Sequence, residues 1–582
     1  MVGTGRESDL RKFIVAGLVL AVIAVLGVGL FFDLRARGLA WNVFWSLTGE
    51  EEPLAQIRGM VEFAGNITRP QPSFDTLVPV DHANLNPYGI NTFLQLEPEP
   101  PKVEQQLKQI SEAGFGWIRQ EFQWEDIEIH GRGDFEDRRN VEIEGVLDAW
   151  AKYDRIVDLA EQYGLQIQAR ISNPPKWAQE SDEAGDMAPP ALIDDYVNFA
   201  AAVAERYQGR ISYFQIWNEP NIYPEWGEAD VDPERYTELL CQTHDALKAI
   251  NPELVIISGA LAPTIEMGAR NLNDFIFLER MYAAGAGACF DVLSMQGYGL
   301  NSGPTDRRMR PVTVNVGRNQ YIRELMVKHG DSGKPIWLSE AAWNAVPTVE
   351  EHPGEIDARG NFGQVTLEQQ ARYMPLFYDR IRNEWPWVGV VNYWFFTLPD
   401  TTRADESFYY FRMAEPDYSD EKPSYTTLPV YDAMRDYIAT DGQTMRFGVH
   451  QLDGHWLASS DGDTVEAEGA QFGEVLETTG VRFQAQGTRL SLRWQGGTIR
   501  VLLGSSDEKT FTATSGQWHT TQLAFSPYVK HWSVSISSEA PVLLDSVTVD
   551  NKSAHYGMQV ILMALAGIGM VTAFAIWRRR KA

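Results

Sequence analysis

The sequence predicts an α/β fold: a (β/α)8 TIM barrel, a C-terminal all-β sandwich and two terminal transmembrane helices. Three observations predict it. Apolar strand-like runs alternate eight times with amphipathic helical runs between residues 84 and 440, the pattern of a parallel sheet with crossover helices. After about Gln443 the spacing changes to short alternating runs split by Gly, Ser and Asp. Near each end lies an apolar stretch long enough to span a bilayer.

Taken in order, Tyr88-Gly89-Ile90-Asn91-Thr92-Phe93 reads as strand 1, and a helix follows from about Pro101 with Val103, Leu107 and Ile110 on one face. Gly116-Trp117-Ile118-Arg119 is strand 2, and helix 2 carries Trp150, Tyr153, Ile156 and Val157. Strand 3 covers 165–171 and is closed by Asn173-Pro174-Pro175; helix 3 covers about 196–207. Ile211 to Ile216 form strand 4, which runs into Trp217-Asn218-Glu219-Pro220, where Pro220 biases Glu219 towards an extended backbone. Helix 4 starts near Pro233, strand 5 is 254–259, helix 5 about 272–284, and strand 6 290–296 with Tyr298 just beyond. Helix 6 spans about 318–329, strand 7 runs from Pro335 to Glu340, helix 7 spans about 367–383, strand 8 covers 388–394, and a last helix covers 428–438.

The domains expected are a tip at 1–12, a transmembrane helix at 13–32, a juxtamembrane linker at 33–83, the catalytic barrel at 84–440, a β-sandwich at 441–552, a second transmembrane helix at 556–577 and a basic tip at 578–582. At about 1.5 Å per residue, 13–32 would span roughly 30 Å, the hydrocarbon core of a bilayer. Arg578-Arg579-Arg580-Lys581 closes the second stretch and argues that both termini are cytoplasmic, with the barrel and sandwich extracytoplasmic at the cytoplasmic membrane. In the linker, Trp41 to Trp45 suit a membrane interface, and Glu50-Glu51-Glu52 and Arg69-Pro70-Gln71-Pro72 read as solvated chain.

A net charge of −29 excludes nucleic acid as the main partner, because phosphates would be repelled. Aromatic residues at 12% suit a neutral ligand such as a sugar. Ten scattered histidines and two cysteines, Cys241 and Cys289, without metal-ligand spacing argue against a metal or other cofactor. The spacing leaves open whether the cysteines pair. In the sandwich, Trp456, Trp494, Trp518 and Trp532 are candidates for sugar stacking or for core, and Asp461 with Asp463 for a structural calcium.

The chemistry centres on Glu219 and Glu340. Each ends a short apolar strand, and eight βα units bring such ends to one face of a barrel, where TIM-barrel chemistry sits. Two carboxyls there are what glycoside hydrolysis uses: one as acid/base, one as nucleophile or base.

Trp217-Asn218-Glu219-Pro220 on strand 4 with Ser339-Glu340 on strand 7 resembles clan A of the glycoside hydrolases, of the family 39 and family 5 type, over about 84–438. The resemblance implies a retaining enzyme with carboxyls about 5–5.5 Å apart, Glu340 attacking the anomeric carbon and Glu219 as acid/base, kept protonated with help from the charge on Glu340. It implies that Asn218 meets the sugar 2-hydroxyl, that Arg119 keeps the nucleophile ionised, that Tyr298 donates to it, and that Trp394 is the platform beneath the sugar, with a cis peptide after it. Many clan members carry a histidine at the end of strand 3; Ser172-Asn173 stands here, and Asn173 is expected to substitute as a hydroxyl partner. Tyr223, Trp226, Trp177 and Trp343 lie on loops at that face and are expected to line outer subsites, which favours a polysaccharide or oligosaccharide substrate. Within this resemblance the chain is most like membrane-associated exopolysaccharide glycosidases. A transglycosylase of the same mechanism and a non-catalytic polysaccharide-binding protein remain as alternatives.

Overall fold

The computed structural model describes residue 17 and residues 24–417, 424–452 and 455–551. Eight parallel strands form the first sheet: β1 Tyr88–Thr92, β2 Trp117–Gln123, β3 Gln166–Ser172, β4 Tyr213–Ile216, β5 Val255–Ile257, β6 Leu293–Gln296, β7 Ile336–Ala341 and β8 Val388–Tyr393. Their spatial order is β5-β4-β3-β2-β1-β8-β7-β6. Parallel bridges Ile257–Val292 and Leu261–Met295 join the two outer strands and bring the sheet round into a barrel.

The strands are buried on both faces, which is why they read as near-continuous apolar runs. The helices around them begin where the sequence signals a start. Helix α3, Pro100–Glu112, has proline in its first turn; α6, Pro233–Ile250, is capped by Asp232; α9, Leu367–Glu384, has a reciprocal Thr366–Gln369 capping box.

The barrel interior is layered. At its base Trp117, Tyr213 and Trp337 pack with ring centroids 4.8–5.4 Å apart, and the indole N–H groups of Trp117 and Trp337 donate to the carbonyls of Asn86 and His82. Above this plug lies a hydrogen-bonded polar layer. Asn392 donates to Gln168 (2.9 Å), Gln168 to Gln215 (3.1 Å), and Gln215 to Ser294 (3.4 Å). The reactive face sits on top of that layer.

Residues 444–550 are mostly β. The long strands Glu474–Gln495 and His519–Asp550 pair along three stretches: 476–478 with 542–544, 480–487 with 530–537, and 489–495 with both 519–525 and 543–550. The sheet thereby folds over a core that includes Leu492, Trp494, Val501, Val534 and Leu544. Trp456, Trp494 and Trp532 are buried in or beside this core, so they are not available for sugar stacking; Trp518 is half-buried under Arg493. Asp461 accepts hydrogen bonds from the backbone of Thr479 and Gly480 and from the hydroxyls of Thr478 and Thr479, which occupies the carboxylate considered for calcium. This domain meets the barrel at the base: Trp456 donates to the Asn84 carbonyl (2.5 Å), Asn84 to the Val449 carbonyl (3.3 Å), and Arg446 pairs with Asp379 (3.1 Å).

Three expectations change. First, 33–83 is not a solvated linker throughout. It contains α1, Leu39–Thr48, and α2, Pro53–Ala64. Glu51 accepts from Arg372 and Tyr373 (both 2.5 Å), and Arg308 pairs with Glu50 (2.9 Å) and Glu62 (3.0 Å). The acidic run looked solvated because its cationic partners are supplied from hundreds of residues away. Trp41, expected at a membrane interface, is buried and donates to the Glu51 carbonyl. Second, the expectation of a membrane-anchored chain with extracytoplasmic domains is overturned: among the described residues no helix is long and apolar enough to cross a membrane. The described helix over 24–35 leaves the apolar stretch at Asp33, whose carboxylate caps the first amides of α1 (2.8–3.1 Å). Half of 13–32 and all of 556–577 lie outside the described residues. Third, Cys241 and Cys289, whose pairing the sequence left open, form a disulfide with Cα atoms 4.7 Å apart.

Trp337 is fully buried at the centre of the base. Trp337→Ala is expected to cost about 3–5 kcal/mol by chemical denaturation, with a lower midpoint.

Candidate active site

Asn218 and Glu219 follow the end of β4. The chain turns sharply there: φ is +75° at Trp217 and +34° at Glu219, a left-handed conformation rather than the extended one expected before Pro220. Tertiary pairing overrides the local bias: Asn218 bridges Ala260, and the Glu219 N–H donates to the Ala260 carbonyl (2.9 Å). Residues in such conformations cost energy that the surroundings must offset, and they cluster at functional sites. Glu340 lies near the end of β7, Tyr298 just after β6, and Trp394 just after β8.

These residues line one cleft of about 550 Å³, together with Asn173, Glu121, Arg170, Glu225 and the aromatic side chains of Phe93, Phe362, Phe408 and Phe411. Arg119 lies beneath it, 3% exposed. It donates to Glu340 Oε1 (3.0 Å), Asn91 (2.8 Å), Gln215 (2.7 Å) and Asn218 Oδ1 (2.7 Å). The Tyr298 hydroxyl donates to Glu340 Oε2 (2.7 Å). Both oxygens of Glu340 are thus held, one by a cation and one by a hydroxyl.

Glu219 is held differently. Its Oε1 accepts from the neutral Gln296 amide (2.8 Å). Burial raises its carboxyl well above the ordinary range; the negative charges of Glu340 and then Glu225 add to this, while Gln296 and Arg119 oppose it. Burial, then Glu340, also raises the Tyr298 phenol well above its ordinary value, so Tyr298 stays a donor. One carboxyl is thereby held between a cation and a hydroxyl, and its neighbour is poised as a neutral acid.

Of the residues read from sequence, Glu219, Glu340, Asn218, Tyr298, Trp394 and Asn173 line the cleft and Arg119 supports it. The Trp394–Phe395 peptide is cis. Four residues expected at outer subsites do not line the cleft. Trp226 is 1% exposed, packed between Trp217 and Tyr236; Trp343 is fully buried and donates to the Ser302 carbonyl. Trp177 packs edge-on to Trp124 and donates to the Glu128 carbonyl, and Tyr223 lies at the surface under Arg270. Loop aromatics fill gaps between the loops as readily as they face a ligand, and sequence does not separate the two.

The sequence reading missed Glu121, Arg170, Glu225 and Gln296. For two of them a signal existed. Arg119, Glu121 and Gln123 recur at period two on β2, as do Gln168, Arg170 and Ser172 on β3. Charged residues at inward positions of a buried strand require partners, and here Arg170 pairs with Glu121 (2.5 Å), which also accepts from Ser172 (2.5 Å). For Glu225, on an irregular loop, no periodic signal existed. Among the described residues no cluster of His, Cys, Asp and Glu is arranged to hold a metal.

No model of a protein family matches the chain. A cyanidin 3-O-glucoside 7-O-glucosyltransferase (acyl-glucose) from Delphinium grandiflorum is 25% identical over 138 residues, 23% of this chain and 25% of that protein. The match thus spans about a quarter of that relative's length. Among solved structures, the chain is similar to a family 39 glycoside hydrolase from Bacteroides cellulosilyticus WH2 (18% identity, 79% of this chain and 82% of that one, TM-score 0.45). It is also similar to a monomeric beta-xylosidase from Caulobacter crescentus CB15 (14% identity, 80% and 98% covered, TM-score 0.42). A third is the GH39 enzyme from Xanthomonas axonopodis pv. citri (12% identity, 81% and 95% covered, TM-score 0.42).

Burial pushes the Glu225 carboxyl up to about 7; Glu340 and Glu121 add, while Arg170 and a hydrogen bond from Asn218 oppose. The folded chain therefore keeps a proton that the unfolded chain releases above about pH 4.5, and this group's contribution to stability declines from there to about pH 7. Glu225→Gln, neutral throughout, is expected to gain stability over the parent by on the order of 2 kcal/mol between pH 5 and pH 8. Denaturant titrations of both proteins at the two pH values check this; a constant difference contradicts it.

Proposed function

We propose that this chain is a retaining glycoside hydrolase that cleaves O-glycosidic bonds of an oligosaccharide or polysaccharide by double displacement. The observation that carries this reading is the unequal treatment of two carboxyls in one cleft: Glu340 fixed by Arg119 and Tyr298, Glu219 buried against a neutral amide and kept protonated.

In the first step a Glu340 oxygen attacks the anomeric carbon while Glu219 gives its proton to the departing glycosidic oxygen, leaving a glycosyl ester on Glu340. Glu219, now an anion, then removes a proton from water, whose oxygen attacks the same carbon and expels Glu340. Arg119 and Tyr298 hold the Glu340 carboxylate in its attacking orientation without side-chain rearrangement. Asn218 and Asn173 offer amides to ring hydroxyls, and Trp394, half-buried in the cleft wall, offers a face for the apolar side of the ring. Phe362, Phe408 and Phe411 form an apolar flank suited to further sugar units or an aglycone. Transfer to a sugar instead of water uses the same residues. The similarity to the Delphinium glucosyltransferase is the observation that favours keeping this second reading.

The test is covalent trapping. A panel of 2-fluoro glycosides followed by peptide mass spectrometry is expected to label Glu340, and the reacting member names the sugar. Hydrolysis that persists at the parent rate in Glu340→Gln discards the assignment. Glu219→Ala is expected to lose about 10²–10⁴-fold in kcat on substrates with poor leaving groups. Azide should restore turnover of an activated aryl glycoside by that variant and yield the glycosyl azide with retained configuration. Product analysis with and without an added sugar acceptor separates hydrolysis from transfer.

A further inference from the structure

Tyr298 stands between two glycines, Gly297 and Gly299, and each is pressed against β7 or its continuation. A β-carbon on Gly297 would lie 2.9 Å from Leu338 Cδ1, and one on Gly299 would lie 2.3 Å from Nε1 and Cε2 of Trp343. Carbon atoms pack at about 3.5–4.0 Å, so neither position has room for a side chain. The Gly297 N–H donates to the Glu340 carbonyl (2.7 Å), which sets the register between the two segments. Three residues beyond Glu340, the Trp343 indole N–H donates to the Ser302 carbonyl (2.8 Å). Residues 297–302 are thereby fastened at both ends to the chain that carries Glu340, with Tyr298 between the fastenings.

We propose that Trp343 is a positioning residue: its indole holds residues 297–302 at the separation from β7 that lets the Tyr298 hydroxyl reach Glu340 Oε2. The inference rests on the glycosidase reading. Trp343 is fully buried and does not line the cleft, so it acts only through what it touches. It is anchored from behind by α9. Its ring meets Tyr373 and Phe377 edge-on, with centroids 5.4 and 5.6 Å apart, and its carbonyl accepts from Gln370 (2.8 Å). The indole is thus a rigid spacer between α9 and the backbone just after Tyr298. The hydrogen bond that depends on it, from Tyr298 to Glu340, is 2.7 Å long. A displacement of about 1 Å in such a supporting contact is enough to cost on the order of 10²-fold in rate.

The experiment uses the full chain and the 4-nitrophenyl glycoside that the wild-type protein cleaves fastest. Competent sites are counted by 2-fluoro glycoside labelling of Glu340, so that kcat refers to folded enzyme. Trp343→Phe keeps a ring and drops the N–H; its kcat is expected to fall about tenfold while KM changes less than about threefold. Gly299→Ala pushes the same segment away from the indole and is expected to do likewise. In a Tyr298→Phe background, adding Trp343→Phe is expected to cost less than about a further twofold, because the group being positioned is gone. Trp337→Phe is the comparison: Trp337 is also fully buried on β7 and donates to a carbonyl, that of His82 (3.0 Å), but at the base. That variant is expected to melt earlier and to keep kcat within about twofold. Far-UV circular dichroism melts monitor folding, and should Trp343→Phe lose its transition, Gly299→Ala alone and with Tyr298→Phe carries the test. If the losses multiply in the Tyr298→Phe background, or Trp337→Phe loses as much kcat as Trp343→Phe, the positioning role is wrong while the glycosidase reading stands. If wild type cleaves nothing and Glu340 is never labelled, the glycosidase reading falls and takes this proposal with it.

Discussion

The structure depends on one buried cation. Arg119 is removed from water, a position that is costly unless its donors are met. Glu340, Asn91, Gln215 and Asn218 meet them, from β7, β1, β4 and the turn after β4. Because the guanidinium is planar and rigid, these acceptors fix its position, and it in turn fixes them. The polar layer below continues the same logic: Gln215 accepts from Arg119 and is tied through Gln168 to Asn392 on β8. A reactive face assembled in this way is organised before any ligand arrives.

Around that centre the same low-dielectric setting treats three acids differently. Glu340, paired with a cation and a phenol, is suited to carry charge. Glu219, offered only an amide and repelled by two neighbours, is suited to carry a proton. Glu225, half-buried and sharing Arg170, falls between them. The distinction comes from neighbours rather than from residue type, since all three are glutamates.

The rest of the described chain builds away from the cleft. The β domain attaches at the base of the barrel, where Asn84, Val449 and Trp456 interlock, and most of its tryptophans serve as packing. The N-terminal helices clasp the loop that follows β6 through Arg308 and Thr305, next along the chain from Tyr298. A segment that composition marks as solvated therefore braces the neighbourhood of a cleft residue.

The sequence alone determined the barrel, the strand ends that carry Glu219, Glu340 and Arg119, and the position of Trp394. Strand and helix periodicities are local, and eight repetitions leave one architecture that buries them all. Only the tertiary structure decided which aromatics reach the cleft, that Cys241 meets Cys289, that α1 and α2 pack instead of trailing, and that Glu225 lines the cleft beside Arg170. Each of those depends on a partner brought in by folding, from the next loop or from hundreds of residues away. A side chain's chemistry is set by its neighbours in space, and composition and periodicity describe only its neighbours along the chain.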